Sequence, residues 1–277
     1  MTEPALPPLR EVIRRHGLEP RKSLGQNFLL DPRLMARIAE AAGKLDGVHV
    51  VEIGPGPGGL TRAILTAGAA SVTALERDDR CVAALAELEA AYPGRLKIVP
   101  ADALEIDPAS LVPAPRKIIA NLPYNIATPL LIGWLARISA YESLTLMFQK
   151  EVAERITAEP RTKDYGRLSI LSQWLSRPRH VFDIPPGAFY PPPKVTSTVL
   201  HFTPHPAPEP AELILVEKVT AAAFGQRRKM LRSSLKSLGV DTNALVEQAG
   251  VDPTARAEEL SVKDFCALAR GLAQLGR

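Results

Sequence analysis

The sequence is poor in cysteine, in histidine and in long apolar runs. Its two cysteines, Cys81 and Cys266, lie far apart and form no CxxC pair. They exclude a disulfide framework and indicate a reducing compartment, the cytoplasm. The five histidines show no ligand spacing, so we expect no metal site. No apolar run is long enough to span a bilayer, and the first eight residues lack a signal-peptide pattern, so we expect no membrane association.

The excess of one charge sign over the other is also small, because the chain has 34 basic and 30 acidic residues and a net charge of +4. The position of the basic residues therefore says more than their total. The N-terminal arm contains Arg21 and Lys22, and the stretch from Phe224 to Lys236 holds five basic residues and no acid. The second stretch includes Arg227, Arg228, Lys229 and Arg232. Each stretch is either a solvated surface or a contact with a polyanion. For the second stretch we favour binding to RNA phosphates.

Apolar segments alternate with helical patterns up to residue 202, and the chain is helical beyond residue 210. Seven strands are predicted, at residues 48–53, 71–75, 96–99, 117–120, 143–148, 181–184 and 195–202. Such alternation is typical of an α/β protein with a largely parallel sheet. Because residues 204–210 form a proline-rich linker, we predict an α/β domain over residues 1–203. A small all-helical domain is predicted over residues 204–277.

A glycine-rich turn follows the first predicted strand. Gly54, Gly56 and Gly59 match the G-x-G-x-x-G fingerprint between a strand and a helix, where glycine lets the backbone approach a ligand. Glu76 lies about 20 residues further on, where an acid hydrogen-bonds ribose hydroxyls. Asp102 follows the third strand. The fingerprint alone leaves NAD, FAD and S-adenosylmethionine open.

A polar and aromatic turn, Asn121-Leu122-Pro123-Tyr124, follows the fourth predicted strand. In open α/β sheets, ligands bind at the carboxyl ends of the strands. The Asn121 oxygen suits an exocyclic amine, and the Tyr124 ring offers a stacking face. Together with Asp102, this turn favours S-adenosylmethionine as the cofactor. Thr128 and Pro129 predict the cap and first residue of the next helix.

A stiff loop from Pro185 to Lys194 presents two aromatic residues, Phe189 and Tyr190. One interpretation is a simple connector. The other is a clamp that holds a base beside a nucleotide-sized site.

These motifs together resemble the bacterial small-subunit (16S) rRNA adenine N6-dimethyltransferase family, known for kasugamycin sensitivity. The resemblance runs from Lys22 to the basic stretch, and four of its motifs are specific: Val51–Gly56, Asn121–Ile126, Tyr165–Ser169 and Pro191–Val195. It implies a seven-stranded Rossmann-like class I methyltransferase sheet. It also implies S-adenosyl-L-methionine, without a metal, as the cofactor. Pro57-Gly58-Gly59 departs from the bulkier residues that other members often carry.

The resemblance further implies the reaction and its substrate. Family members dimethylate N6 of two adjacent adenosines in the 3′-terminal hairpin loop of 16S rRNA. The substrate would be the small ribosomal subunit or its precursor, so the protein would act in subunit biogenesis. We expect a cytoplasmic monomer.

Three groups of site residues follow from the resemblance and from the patterns above. The cofactor site is expected to contain Asn27, Leu29, Gly54, Gly56, Glu76, Asp102 and Asn121. The target adenine is expected to contact Asn121, Leu122, Pro123 and Tyr124, with Phe189 on its opposite face. RNA contacts are expected from Arg21, Lys22, Arg227, Arg228, Lys229 and Arg232.

Three other functions remain open. The first is methylation of large-subunit rRNA, the reaction that confers macrolide resistance. The second is a non-catalytic role in ribosome assembly, which an intact Asn121–Tyr124 turn disfavours without excluding both roles in one protein. The third is an NAD-dependent oxidoreductase, which would leave that turn and the basic stretch without a purpose.

Overall fold

The computed structural model describes residues 4–21 and 25–276, so Lys22 lies outside the described residues. The chain separates into two compact units. The α/β unit comprises the chain up to Lys150 together with Arg179–Pro204, and the helical unit comprises Glu151–Pro178 and the chain from His205 onward. The predicted boundary at residue 203 therefore differs from the observed division, because residues 151–178 join the helical unit.

Among its described residues, the α/β unit contains nine strands and five helices. The strands are β1 (Phe28–Leu29), β2 (His49–Ile53), β3 (Ser71–Glu76), β4 (Leu96–Pro100), β5 (Arg116–Asn121), β6 (Ser143–Gln149), β7 (Ser176–Ile184, whose first three residues count with the helical unit), β8 (Phe189–Tyr190) and β9 (Ser197–Pro204). The helices are α1 (Leu9–Arg15), α2 (Pro32–Ala41), α3 (Gly59–Thr66), α4 (Asp79–Ala91) and α5 (Tyr124–Leu135).

Seven of these strands form one sheet, in the order β4-β3-β2-β5-β6-β9-β7. Strands β2 to β6 run parallel, and β9 is antiparallel to β6. The predicted seven-stranded α/β sheet is thus confirmed. The strand order reverses between β2 and β5, and such a switch point opens a crevice outside the carboxyl ends of the strands. Strands β1 and β8 form a separate two-residue antiparallel ladder.

Local sequence signals fix several helix starts. Asp31 caps α2, since its Oδ1 accepts a hydrogen bond from the Arg33 amide at 2.8 Å, and Pro32 occupies the first helical position. Asp78 caps α4 in the same way.

Helix α5 corrects one prediction. It begins at Tyr124, directly after Pro123, and Pro129 lies inside it instead of opening it. An internal proline removes one backbone hydrogen bond. The helix tolerates this because Ala127, Leu130 and Leu131 are buried around that position. As a result, Tyr124 stands on the first turn of a helix.

The helical unit contains α6 (Lys150–Thr157, of which Lys150 counts with the α/β unit), α7 (Arg167–Leu175), α8 (Leu213–Gly225), α9 (Leu231–Ser234), α10 (Thr242–Ala249) and α11 (Val262–Leu275). Its core explains why residues 151–178 belong to it, because Tyr165 and Trp174 are buried in one cluster with Val216 and Phe265. Among the described helices, none is both long and apolar enough to cross a membrane.

The basic stretch also differs from the expected continuous helix. Helix α8 ends at Gly225 and α9 begins at Leu231, so Arg227, Arg228 and Lys229 lie on the turn between them. We call residues 226–230 the basic turn. Directly after it in the sequence, Leu231 and Leu235 are fully buried.

Candidate active site

A cleft opens at the carboxyl ends of the parallel strands, at the switch point of the sheet. All seven residues predicted for the cofactor line this cleft, and so do the four residues of the Asn121–Tyr124 turn. Glu76 and Asn121, which follow two different strands, therefore face the same space. The parallel sheet brings them together because it aligns all its carboxyl ends at one edge.

The glycine-rich turn forms the floor of the cleft. Gly54 and Gly56 have φ angles of 65° and 55°, a region that side chains other than glycine rarely adopt. A Cβ on Gly56 would lie 3.1 Å from the ring of Phe28. Both the conformation and the space therefore require glycine at position 56.

Glu76 is 7% exposed, and backbone amides hold its carboxylate. Its Oε2 accepts from the Gly56 amide at 3.0 Å, and its Oε1 accepts from the amides of Arg77 and Asp78 at 2.8 Å each. Burial raises the pKa of Glu76, and the three backbone hydrogen bonds oppose that rise. A carboxylate has about four lone-pair sites, and three are taken by these amides, so Glu76 can still accept one hydrogen bond from a ligand.

Glu52, the acid of the Val51–Gly56 motif, lines the cleft although it was not among the predicted site residues. It is 1% exposed, and its Oε2 accepts a 2.6 Å hydrogen bond from Thr61 Oγ1. Burial raises its pKa to about 8, so the side chain is largely neutral at pH 7. The signal that could have found it is an acid within an otherwise apolar strand.

Asp102 lies at the rim of the cleft beside Arg77. The Arg77 guanidinium donates to Asp102 Oδ2 at 2.9 Å, and the Leu104 amide donates to Oδ1 at 3.0 Å. Arg77 is well exposed, with 69% of its side chain accessible, so water screens this ion pair. The Arg77–Asp102 ion pair can therefore separate to admit a ligand at a small cost in free energy.

Asn121 and Tyr124 differ in how firmly they are held. Within the part of the chain that the structure describes, no hydrogen bond engages the Asn121 side chain, which leaves its amide available to a ligand. The Tyr124 hydroxyl lies 2.6 Å from Ser197 Oγ, which fixes the ring. Burial raises the pKa of Tyr124, so the side chain stays a neutral phenol.

The N-terminal arm packs against the cleft, so the interpretation of the whole arm as a solvated segment is wrong. Val12 and Leu18 are buried in one cluster with Phe28 and Cys81. Closer to the cleft, a Cβ on Gly25 would meet the side-chain oxygen of Asn125 at 2.9 Å. The arm thus touches the segment that follows the Asn121–Tyr124 turn.

Arg80 of α4 anchors this arm through hydrogen bonds to its backbone carbonyls. Arg80 Nη2 lies 2.6 Å from Asp78 Oδ2, and Arg80 also donates to the carbonyls of Gly17 and Glu19. Gln26 Nε2 donates to the same Asp78 oxygen at 3.0 Å. The Arg80 guanidinium lowers the pKa of Asp78 to about 2, so this anchor stays charged at neutral pH. Arg21 itself is exposed.

The aromatic loop is arranged differently from the expected clamp. Phe189 is 5% exposed and packs in the core with Leu29, and it is not among the described residues that line the cleft. Tyr190 is 49% exposed. The role expected for Phe189, on the far face of a bound adenine, therefore stays a prediction, and the accessible ring at this loop belongs to Tyr190.

The predicted RNA-binding residues of the helical unit fall into two groups. Arg227 is engaged internally: its Nε donates to Glu258 at 2.7 Å, and its other nitrogens donate to the carbonyls of Tyr165 and Thr162. Arg228, Lys229 and Arg232 are exposed. The sequence could not separate them, since adjacent arginines look alike until the partners of each are known.

Comparison with known proteins yields one consistent group of relatives. The profile of the ribosomal RNA adenine dimethylase family matches residues 17–274. The chain is 61% identical to the ribosomal RNA small subunit methyltransferase A of Rhodospirillum rubrum, over 98% of this chain and 94% of that protein. The protein of the same name from Xanthobacter autotrophicus is also 61% identical, over 98% of this chain and 95% of its own length.

Two solved structures share the fold over most of the chain. A dimethyladenosine transferase from Plasmodium falciparum superposes with a TM-score of 0.78 at 24% identity, covering 89% of this chain and 97% of that one. The 23S rRNA methyltransferase ErmE superposes with a TM-score of 0.67 at 29% identity, covering 90% of this chain and all of its own.

Proposed function

The chain belongs to the ribosomal RNA adenine dimethylase family, and from this premise we propose its substrate, cofactor and site. The protein dimethylates N6 of two adjacent adenosines in the 3′-terminal hairpin loop of 16S rRNA, with S-adenosyl-L-methionine as methyl donor. It acts in the cytoplasm on the small subunit or its precursor. The observation that carries this proposal is that Glu76 and the free amide of Asn121 open onto one cleft.

The residues present fit this cofactor. Glu76 has one acceptor site left for a ribose hydroxyl, and Asp102 offers an acceptor for the adenine amine once Arg77 swings aside. The Gly54–Gly56 backbone lets the remainder of the molecule approach without Cβ interference. When bound, the cofactor supplies an activated methyl group on a positively charged sulfur.

Asn121 has the central role in the reaction. Adenine N6 is a poor nucleophile because its lone pair is delocalised into the ring. The Asn121 oxygen and the carbonyl of Leu122 or Pro123 accept hydrogen bonds from N6 outside the ring plane, which localises the lone pair toward the methyl carbon. The bound cofactor would supply the methyl group to N6 so oriented, and the N6 proton would then leave to water. The catalytic effect is positioning and electrostatics, without a strong base.

Tyr124 stacks on the target base. Its ring is fixed by Ser197 and stays neutral, so it provides a flat face and no proton acceptor. The adenine must leave its own stack to reach this ring, which favours an unpaired loop as substrate. The same pocket admits the monomethylated base for the second transfer.

In the helical unit, the exposed cations bind RNA phosphates. Arg228, Lys229 and Arg232 serve this purpose, because they are exposed and close in sequence. Arg227 instead holds the basic turn in place through Glu258.

Mass mapping of methylated adenosines tests the reaction. Small subunits from cells lacking this gene should lack both dimethyladenosines, and purified protein with S-adenosylmethionine should restore them. The variant Glu76→Ala should fail to restore them at limiting cofactor. Calorimetry on the unmodified protein should show binding of S-adenosylmethionine and not of NAD.

Two outcomes would contradict the proposal. Transfer of methyl groups to 23S rRNA and not to 16S rRNA would favour the large-subunit alternative, which the likeness to ErmE motivates. Binding of 16S rRNA without any transfer would favour the non-catalytic role.

A further inference from the structure

An exposed aromatic ring stands next to the cleft with no role in the reaction described above. In the β1–β8 ladder, Phe28 lies opposite Tyr190, and Leu29 lies opposite Phe189. Directly opposite residues of an antiparallel pair project their side chains from the same face. Leu29 and Phe189 both enter the core. Tyr190 therefore projects from the same face as Phe28. Both residues of β1, Phe28 and Leu29, line the cleft, so the ladder places Tyr190 on the strand that borders β1.

The exposure of Tyr190 is unusual for this chain. It is the only aromatic residue among the large apolar side chains that are exposed in the described part of the protein. Its ladder to Phe28 and the three prolines that follow it restrict its backbone. A ring on a restricted backbone that is open to water loses little further freedom when a ligand stacks on it.

The surroundings of Tyr190 suit a nucleic acid. From Pro185 to Thr196 the loop has no acidic residue, and Lys194 is exposed four residues after Tyr190. An accessible ring beside a cation and without nearby acids on its own loop is the combination that binds unpaired bases and their phosphates.

We propose that Tyr190 stacks on the base next to the target adenosine, at the mouth of the cleft. This inference rests on the proposed function, in which the substrate is an unpaired loop with two adjacent adenosines. While one adenine lies against Tyr124 inside the cleft, its neighbour lies against Tyr190 outside. Tyr190 thereby selects RNA in which the flanking base is also unpaired.

Binding measurements with three variants test this role. The probes are a hairpin RNA whose loop contains two adjacent adenosines and a fully paired duplex of equal charge. Tyr190→Ala should weaken hairpin binding by about 5- to 150-fold, the range of lost base–aromatic stacking. Tyr190→Phe should retain hairpin binding because it keeps the ring. Val195→Ala is the matched control, since Val195 is an exposed apolar residue on the same loop, and it should bind as the unmodified protein does.

Further readouts separate stacking from a structural role. Duplex binding, the calorimetric affinity for S-adenosylmethionine and the melting temperature should be unchanged in Tyr190→Ala. With 2-aminopurine in place of the flanking adenine, the unmodified protein should quench its fluorescence and Tyr190→Ala should not. Unchanged hairpin binding in Tyr190→Ala, an equal loss for hairpin and duplex, or a loss of cofactor affinity would each overturn the proposal.

Methyl transfer is measured separately on the unmodified protein. If the protein binds the hairpin through Tyr190 but transfers no methyl group to 16S rRNA, the proposed function fails and the stacking role stands. If it transfers methyl groups while hairpin binding ignores Tyr190, only the stacking role fails.

Discussion

The cleft of the α/β unit and the basic turn of the helical unit hold their polar side chains in opposite ways. In the cleft, Glu52 and Glu76 are buried and hydrogen-bonded to a hydroxyl or to backbone amides before any ligand arrives. On the basic turn, Arg228 and Lys229 are exposed. Fixed, buried groups recognise a ligand of defined shape, whereas exposed cations attract any phosphate chain.

Each region contains one residue that departs from its pattern. Asn121 lies in the fixed cleft, yet its own amide is unengaged among the described residues. Arg227 lies on the exposed turn, yet it is tied to Glu258. These exceptions give the sharpest tests, because each should behave unlike its neighbours.

The largest effect is expected at Asn121. Asn121→Ala should lower kcat about 10²- to 10³-fold, as loss of a preorganised hydrogen-bonding group does in other enzymes. The affinity for hairpin RNA should stay nearly unchanged, because phosphate contacts supply most of it. Single-turnover methyl transfer and RNA binding measure the two effects.

The same substitution at Asn243, an exposed position on α10, serves as the control. It should leave kcat unchanged. Equal losses of turnover and RNA affinity in Asn121→Ala would place Asn121 in binding and not in the reaction.

Glu52 offers a test of burial through pH. Its ordinary pKa of 4.5 rises to about 8 in the folded protein, so the folded chain retains a proton that the unfolded chain releases. The stability that Glu52 contributes is therefore present below pH 4.5 and is lost as the pH rises toward 8. The slope is at most about 1.4 kcal/mol per pH unit.

Glu52→Gln should remove this slope, because glutamine keeps the acceptor for Thr61 and carries no charge. The difference in melting temperature, variant minus unmodified protein, should therefore increase between pH 5 and about pH 8. If the melting temperatures of both proteins instead change with pH in the same way across this range, Glu52 is charged in the folded protein.

Arg227 tests the exception on the basic turn. Arg227→Ala should lower the free energy of unfolding by about 1–2 kcal/mol, because it removes a partly exposed ion pair and two hydrogen bonds to carbonyls. Arg228→Ala is the matched control and should change stability by less than about 0.5 kcal/mol. Denaturant unfolding compares the two, and equal losses would mean that both arginines hold the turn.

The smallest effect concerns the exposed cations. Arg228→Ala and Lys229→Ala should each weaken RNA binding a few-fold at low salt. Each should also reduce the slope of log affinity against log salt by about 0.7–0.9, one phosphate contact. A slope that stays the same in both variants would remove the basic turn from the RNA interface.

The sequence alone determined the sheet and the residues at its edge. Apolar strands alternate with helices, and Gly54, Glu76, Asp102 and Asn121 each follow or end a strand, so a parallel sheet had to bring them to one edge. Helix starts at Asp31 and Asp78 were equally readable, because capping is a local interaction within a few residues. These features depend only on short-range pattern and on a topological rule.

The tertiary structure decided which of two similar neighbours is buried. Phe189 enters the core and Tyr190 does not, Arg227 finds Glu258 and Arg228 stays exposed, and residues 151–178 join the helical core. The partners that settle these choices lie far away in the chain, as Glu258 does from Arg227. Burial depends on what packs against a side chain from elsewhere, and no local pattern carries that information.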